Sequence, residues 1–220
     1  MDDQSPVIDL VNVFTGFDER AVLQGVTLKV TKGEAVIIEG ATGAGKTTLI
    51  RLLLGALPVR SGYAHVLNTD LARAAKDDLT ALRRKIGVVF QIPRFLDQET
   101  VLTNVSLPLA IAGERARRCR TDGARALLDT ALHNSARKRP AQLSGGEQAR
   151  LQIARALIHR PYLLLADEPF AHLDPDSAEA AEDLLETAHR RGATLVITTH
   201  RPTRLAEHAR RVRLEGGILV

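Results

Sequence analysis

The sequence predicts an α/β fold: a mainly parallel sheet core, an antiparallel β subdomain toward the N-terminus, and a helical subdomain inserted into the core. Three observations lead there. The short apolar runs "EAVIIEG", "IGVVF", "YLLLAD" and "TLVITTH" read as strands buried on both faces. Stretches of helical periodicity are interleaved with them, as in a parallel sheet covered by helices. The stretch 91–142 carries no convincing strand, so one domain over 1–220 is expected, with 1–90 and 143–220 as its core and 91–142 as the helical insertion.

Element by element, the pattern runs as follows. "VNVF" and then Val26, Leu28 and Val30 alternate with polar residues, the mark of antiparallel strands with one face inward. "EAVIIEG" ends in glycine and leads through "GATGAGKTT" (40–48) into a helix whose Leu49, Leu52, Leu53 and Ala56 share a face. After the strand at 86–90, helical stretches are expected to break at Pro93, Pro108, Gly113, Gly123 and Pro140. "QLSGGEQARLQIARAL" (142–157) opens an amphipathic helix in which Leu151, Ala154, Leu157 and Ile158 recur at helical spacing. Strands at 162–167 and 194–200 complete the parallel set, and "RVRLEGGILV" reads as a hairpin around Gly216 and Gly217.

Composition narrows the function classes. With 45% hydrophobic and 25% charged residues over 220 positions, the chain can bury an ordinary globular core. Tryptophan is absent and aromatics make 3%, so the core must come from Leu, Val, Ile and Ala, and an aromatic platform for single-stranded nucleic acid is not expected. The lone Cys119 sits beside Arg117, Arg118 and Arg120, which excludes an internal disulfide, offers no metal cluster and fits a reducing compartment. The opening "MDDQSPVIDL" has neither a basic nor an apolar leader region, and no apolar run approaches the roughly 20 residues of a membrane span. Neither export nor a direct membrane span is expected. The net charge is +4, with basic clusters at 115–120, 137–139 and 201–213; a solvated surface and attraction to an anionic membrane face or acidic partner both fit.

The chemistry lies at strand ends. Residues 40–47, "GATGAGKT", match G-x-x-x-x-G-K-[ST], in which backbone N–H groups wrap phosphates, the lysine (Lys46) reaches the terminal ones and the hydroxyl (Thr47) binds Mg²⁺. "YLLLADEP" ends a buried strand in two carboxylates: Asp167 suits the Mg²⁺ shell, and Glu168 is placed to orient or deprotonate the attacking water. His200 closes a third strand, where a side chain can reach a terminal phosphate and that water. Ser144, Gly145 and Gly146 head a helix, which makes a second anion site although the phosphate loop looks complete without it.

Along nearly the whole chain, and in the same order, these motifs resemble those of the ATP-binding cassette (ABC) family of P-loop ATPases, "LSGGEQ" most specifically. The resemblance implies ATP and Mg²⁺ as cofactors and a homodimer in the ATP-bound state, in which Ser144, Gly145, Gly146 and Glu147 of one subunit face the γ-phosphate held by the other. It implies contacts to the nucleotide from Gly40, Ala41, Thr42, Gly43, Ala44, Gly45, Lys46, Thr47 and Thr48. It also matches Gln91 to a glutamine that senses Mg²⁺ and water, Leu173 and Asp174 to a loop crossing the dimer interface, and Phe17 to an aromatic that stacks on adenine; a lone Phe between strands equally reads as core. The implied catalytic set is Lys46, Gln91, Glu168 and His200, and the implied Mg²⁺ set is Thr47, Gln91 and Asp167.

Within the family, "RRKIGVVFQIPRFLDQETVLTNVSLPLAIAG" and an end just beyond "RLEGGIL" resemble the FtsE-type cell-division ATPases, a pattern that lipoprotein-releasing and peptide-exporting cassettes share in large part. The first resemblance implies a peripheral protein on the cytoplasmic side of the inner membrane, paired with an FtsX-type membrane protein to control peptidoglycan hydrolysis. The second implies the motor of a lipoprotein or small-molecule transporter. DNA-repair relatives would need a long coiled-coil or zinc-bearing insertion, for which 91–142 is too short and has one cysteine. The chain departs from the family pattern at Ile92 and Pro93, at Phe170, Ala171 and His172, and at Arg201.

Overall fold

A computed structural model describes residues 6–18 and 20–220. The opening residues 1–5, part of the stretch read as lacking a leader, lie outside the described residues. Strands β1 (Pro6–Phe17) and β2 (Arg20–Thr31) pair antiparallel, and β4 (Ser61–Val66) and β5 (Thr69–Asp70) extend this sheet in the order β2-β1-β4-β5. The alternation at Val26, Leu28 and Val30 buries those three side chains.

The second sheet has the order β10-β9-β3-β8-β7-β6, with β3 at Ala35–Glu39, β6 at Ile86–Val89, β7 at Leu163–Asp167, β8 at Thr194–Thr199, β9 at Arg210–Glu215 and β10 at Ile218–Leu219. All its neighbours run parallel except the β9/β10 hairpin. Every residue of β7 and β8 is buried, as a sheet covered on both faces requires. One core cluster joins the two sheets through helix α1 (Lys46–Leu53), and a second lies beneath α5 (Gly145–Leu157) and α6 (Pro175–Arg190). Each fully buried Leu or Ile in them, Leu49 and Ile37 for example, stabilises the fold by roughly 1.5–3 kcal/mol.

Ala56, expected on the face of the first helix, falls outside it. Gly55 turns left-handed at φ 60°, its N–H reaches the Leu52 carbonyl at 2.8 Å, and the Ala56 N–H reaches the Arg51 carbonyl at 2.8 Å, which closes the helix end. The β4–β5 hairpin and α2 (Lys76–Arg83) carry weaker patterns: α2 buries only Leu82.

Residues 91–142 hold α3 (Val101–Ile111), α4 (Ala116–Asp129) and two short 3-10 turns, and no strand among the described residues. Two expected breaks are not breaks. Pro108 sits inside α3, whose Val101, Val105 and Leu109 are buried; tertiary packing holds the helix through the lost hydrogen bond. Gly123 sits inside α4, where a Cβ would lie 2.2 Å from Ser106 Oγ of α3, so this glycine lets two helices approach instead of ending one. The core of this lobe also takes Leu151 and Ala154 from α5, which ties it to the helix that follows.

Candidate functional site

Parallel pairing collects the motifs. At the carboxyl ends of four strands in the order β3, β8, β7, β6 stand, respectively, the loop from Gly40, then His200, then Asp167 and Glu168, then Gln91. Residues far apart in sequence thus share one sheet edge, where open parallel sheets bind ligands.

A cleft of about 200 Å³ at this edge is lined by Val22, Thr42, Gly43, Gly45, Lys46, Thr47, Thr48, Gln91, Glu168 and His200. Lys46 is buried, and its Nζ donates to the Gly40 carbonyl at 2.6 Å and the Ala41 carbonyl at 3.0 Å. The same ammonium lies 3.0 Å from Glu168 Oε1. The other Glu168 oxygen lies 2.8 Å from His200 Nδ1, and the His200 backbone N–H donates to it at 3.3 Å. A buried carboxylate is thus held between a lysine and a histidine, a pairing that offsets the cost of burying either charge alone. Glu168 has φ 48°, a left-handed conformation that costs a non-glycine residue about 1 kcal/mol or more. Its backbone N–H is anchored to the Thr198 carbonyl at 2.9 Å, which holds the strained turn in place.

Asp167 is 2% exposed and accepts a 2.7 Å hydrogen bond from the Thr198 hydroxyl on one oxygen. With Thr47 and Gln91 it also lines a second, larger cleft of about 630 Å³, next to the first. A hydroxyl, an amide and one carboxylate are hard oxygen donors, the set that suits Mg²⁺ completed by phosphate and water. No cluster of three or more His, Cys, Asp or Glu that could hold a metal occurs among the described residues, so these donors fit an ion shared with phosphates and not a closed protein cage.

The phosphate loop is braced from outside by the C-terminal hairpin. The Gly217 N–H donates to the Ala44 carbonyl at 3.1 Å, while its carbonyl accepts from the Gln24 N–H at 2.9 Å. A Cβ on Gly217, at φ 86°, would lie 1.9 Å from the Val22 carbonyl oxygen, and one on Gly40 would lie 2.5 Å from the Leu214 carbonyl oxygen. Leu214 does not stand out in sequence and Gly217 reads there only as a turn residue, because the hairpin reaches the loop through β9 pairing beside β3 and the bond from Gln24 of β2.

The second expected anion site stands apart. Ser144 caps α5: its hydroxyl accepts from the Glu147 N–H at 3.2 Å, and the Glu147 carboxylate accepts from the Ser144 N–H at 2.8 Å. That backbone bond, with further donors from Ser135 and Ser144 and the nearby charge of Lys138, holds the Glu147 carboxyl below its ordinary value against a smaller upward push from burial. A Cβ on Gly145 would meet nothing within 4 Å, whereas one on Gly146 would lie 2.2 Å from Ser177 Oγ of α6. Gly145 is therefore the open position and Gly146 the packed one. Asp174 caps α6 by accepting from the Ser177 N–H at 2.9 Å, which lowers its pKa. Ser144, Gly145, Gly146, Glu147 and Asp174 line neither cleft.

The remaining singled-out residues divide. Phe17 is 42% exposed, so it is not core; it lines the larger cleft with the Arg51 guanidinium 5.8 Å from its ring centre. Ile92 is exposed at the rim of that cleft. Pro93 is half-buried and His172 is exposed at φ 64°, while Phe170 is buried in the core beneath α6. Arg201 donates to the Phe170 carbonyl at 3.3 Å, a contact between the loops after β8 and β7. Thr198 and Gln152 are the site-bordering residues that the motifs did not point to. Thr198 is fully buried in β8, and Gln152 is 3% exposed within the apolar face of α5; a polar residue at a core position was the available signal.

Comparison with known proteins agrees with this architecture. A family model described as ABC transporter matches residues 23–171. The cell-division ATP-binding protein FtsE of Haemophilus influenzae is 40% identical over 178 residues, covering 81% of this chain and 82% of its own. The lipoprotein-releasing system ATP-binding protein LolD of Geobacter metallireducens is 38% identical over 217 residues, covering 97% and 96%. Among solved structures, a dimeric post-hydrolysis state of the ATP-binding cassette MJ0796 bound to ADP and phosphate superimposes with a TM-score of 0.87 at 33% identity, covering 96% of each chain.

Proposed function

The chain belongs to the ABC transporter family as an ATP-binding subunit, and on that premise we propose that it hydrolyses ATP in a homodimer and signals closure of that dimer to an FtsX-type membrane protein that controls peptidoglycan hydrolysis. The observation that carries the hydrolytic part is the chain Lys46–Glu168–His200 at the mouth of the phosphate loop. Lys46 grips the terminal phosphates. A phosphate in the loop competes with Glu168 for the lysine, so binding loosens the carboxylate toward the attacking water. Glu168 orients that water or takes its proton, His200 holds the carboxylate and reaches the γ-phosphate, and Gln91 borders both the water and the neighbouring cleft. Thr47, Asp167 and Gln91 would hold Mg²⁺, which neutralises phosphate charge when bound. The base stacks on Phe17.

Phosphate contacts from Ser144, Gly145, Gly146 and Glu147, with Asp174 beside them, go to a nucleotide on the partner chain. Hydrolysis removes the group both subunits grip and reopens the dimer. The dimeric relative MJ0796 supports this arrangement. No helix among the described residues is long and apolar enough to cross a membrane. In this reading the partner supplies the span on the inner membrane, and the chain lies on its cytoplasmic side.

The greater coverage of the LolD relative, 97% of this chain, favours a second reading as the ATPase of a lipoprotein-releasing or small-molecule transporter. A pull-down from native membranes with the Glu168→Gln chain and ATP separates the two. An FtsX-like protein with a large extracytoplasmic loop supports the division role; a permease or lipoprotein-releasing subunit overturns it and leaves the ATPase reading intact.

A further inference from the structure

Helix α5 grips the segment around Gln91 at both ends. Inside the helix, Gln152 is 3% exposed, and both polar atoms of its amide bond one residue's backbone: Oε1 accepts from the Phe90 N–H at 2.7 Å, and Nε2 donates to the Phe90 carbonyl at 2.9 Å. One turn further, Arg155 donates from its NH1 group to the Arg94 carbonyl at 2.5 Å and lies 5.0 Å from the centre of the Phe95 ring. Between these holds, Gln91 borders both the nucleotide cleft and the larger cleft, whose wall includes Phe90, Ile92 and Arg94.

We propose that Gln152 and Arg155 are positioning residues that tie the segment 90–95 to α5, so that the helix whose N-terminus faces the partner's nucleotide sets the position of Gln91. This rests on the ATPase reading above and deepens it by naming a route from the trans anion site to the hydrolytic site.

The physical argument is one of stiffness. Ser144 and Gln152 are eight residues apart on one unbroken helix, about 12 Å along its axis, and a regular helix moves as a unit over that length. A paired amide fixes the Phe90 backbone in two directions, and its burial makes any slip expensive because two backbone groups and the amide would lose their partners together. The half-buried Arg155 guanidinium, its pKa lowered by desolvation, is held by its carbonyl and ring partners beside it. A shift of α5 therefore cannot leave 90–95 behind.

The test compares the native chain with Gln152→Leu, which loses both hydrogen bonds, and Gln152→Glu, which keeps the acceptor and loses the donor. Steady-state ATP turnover with Mg²⁺ is read beside ATP-driven dimer formation in the Glu168→Gln background. Gln152→Leu is expected to lower kcat about tenfold with KM within about twofold, while dimer formation keeps its ATP dependence. Gln152→Glu is expected to lie between, and its activity relative to the native chain to rise toward acidic pH, where the carboxylic acid recovers a donor. Arg155→Lys carries the same kcat and dimer comparison where Gln152→Leu fails to fold. An active native chain with unchanged kcat in these variants, or with kcat and dimer formation falling in parallel, overturns the proposal and spares the ATPase reading. A native chain with no turnover overturns both.

Discussion

The two glycine-bearing loops that head helices α1 and α5 differ in what surrounds them. At 40–48 the loop wraps a buried lysine that is already engaged by two carbonyls and a carboxylate, and a hairpin from the far end of the chain holds the loop from behind. At 144–147 a capping box shapes the helix start, Gly145 opens onto free space, and none of these residues lines either of the two clefts. Both present helix N–H groups, yet only the first brings a counter-charge and walls. A loop with walls can work within its own chain; a loop without them needs another molecule to complete the site, which in the proposed homodimer would be the nucleotide held by a second copy.

Five substitutions break or sharpen that contrast. The largest effect belongs to Glu168→Gln, which should reduce turnover by about a hundredfold or more while retaining ATP binding and accumulating a closed dimer visible by gel filtration. Unchanged turnover would sink the role assigned to Glu168. Next, Gly145→Asp places a carboxylate in the open loop, where it suits the helix start but repels phosphate. Turnover should fall by about a hundredfold with nucleotide affinity of the single chain unaltered; weakened binding to the isolated chain would place this loop in cis.

Gly217→Ala should act on the first loop, because the added methyl cannot coexist with the Val22 carbonyl, and the shift passes to Ala44. ATP affinity should drop by about tenfold, a loss of about 1.4 kcal/mol. Gly216→Ala is the control: it strains the backbone at φ 53° but meets nothing within 4 Å, so it should lower Tm without moving affinity. Equal affinity loss in both would show general destabilisation.

The smallest effect is pH-dependent. Glu147 has a lowered folded pKa, so its capping contribution is full above its ordinary value of 4.5 and fades as pH falls through the lowered one. Glu147→Gln should flatten the fall in Tm over that acidic window and cost less than about 3 °C at neutral pH, the cap being partly solvated. An acid profile identical to that of the native chain would argue against this cap.

Much of the site was legible because its chemistry sits in contiguous motifs. Lys46, Thr47, Glu168 and His200 each follow a short buried strand and Asp167 ends one, and period and composition reveal such strands locally. Ala56 was misread because Gly55 turns the chain out of α1, and the other misreadings share one cause. Pro108 and Gly123 act locally as helix breakers, but packing of α3 on α4 decides their conformation, and Gly123 is needed for close approach. In "SGGEQ" two adjacent glycines look equivalent, and only the neighbouring Ser177 separates the packed one from the open one.

The sequence by itself determined the parallel strands of the core, the phosphate loop, the two acidic residues at the end of β7 and the histidine after β8, because strand period and loop chemistry are properties of neighbouring residues; it did not reveal β4, β5 or α2, whose patterns are weaker. Tertiary structure alone decided that β8 lies between β3 and β7, which brings Glu168 within 3.0 Å of Lys46 and 2.8 Å of His200. It alone placed Gly217 behind the phosphate loop and the Gln152 amide on the Phe90 backbone, 62 positions away in sequence. Those partners meet through sheet order and helix packing, which no local pattern encodes.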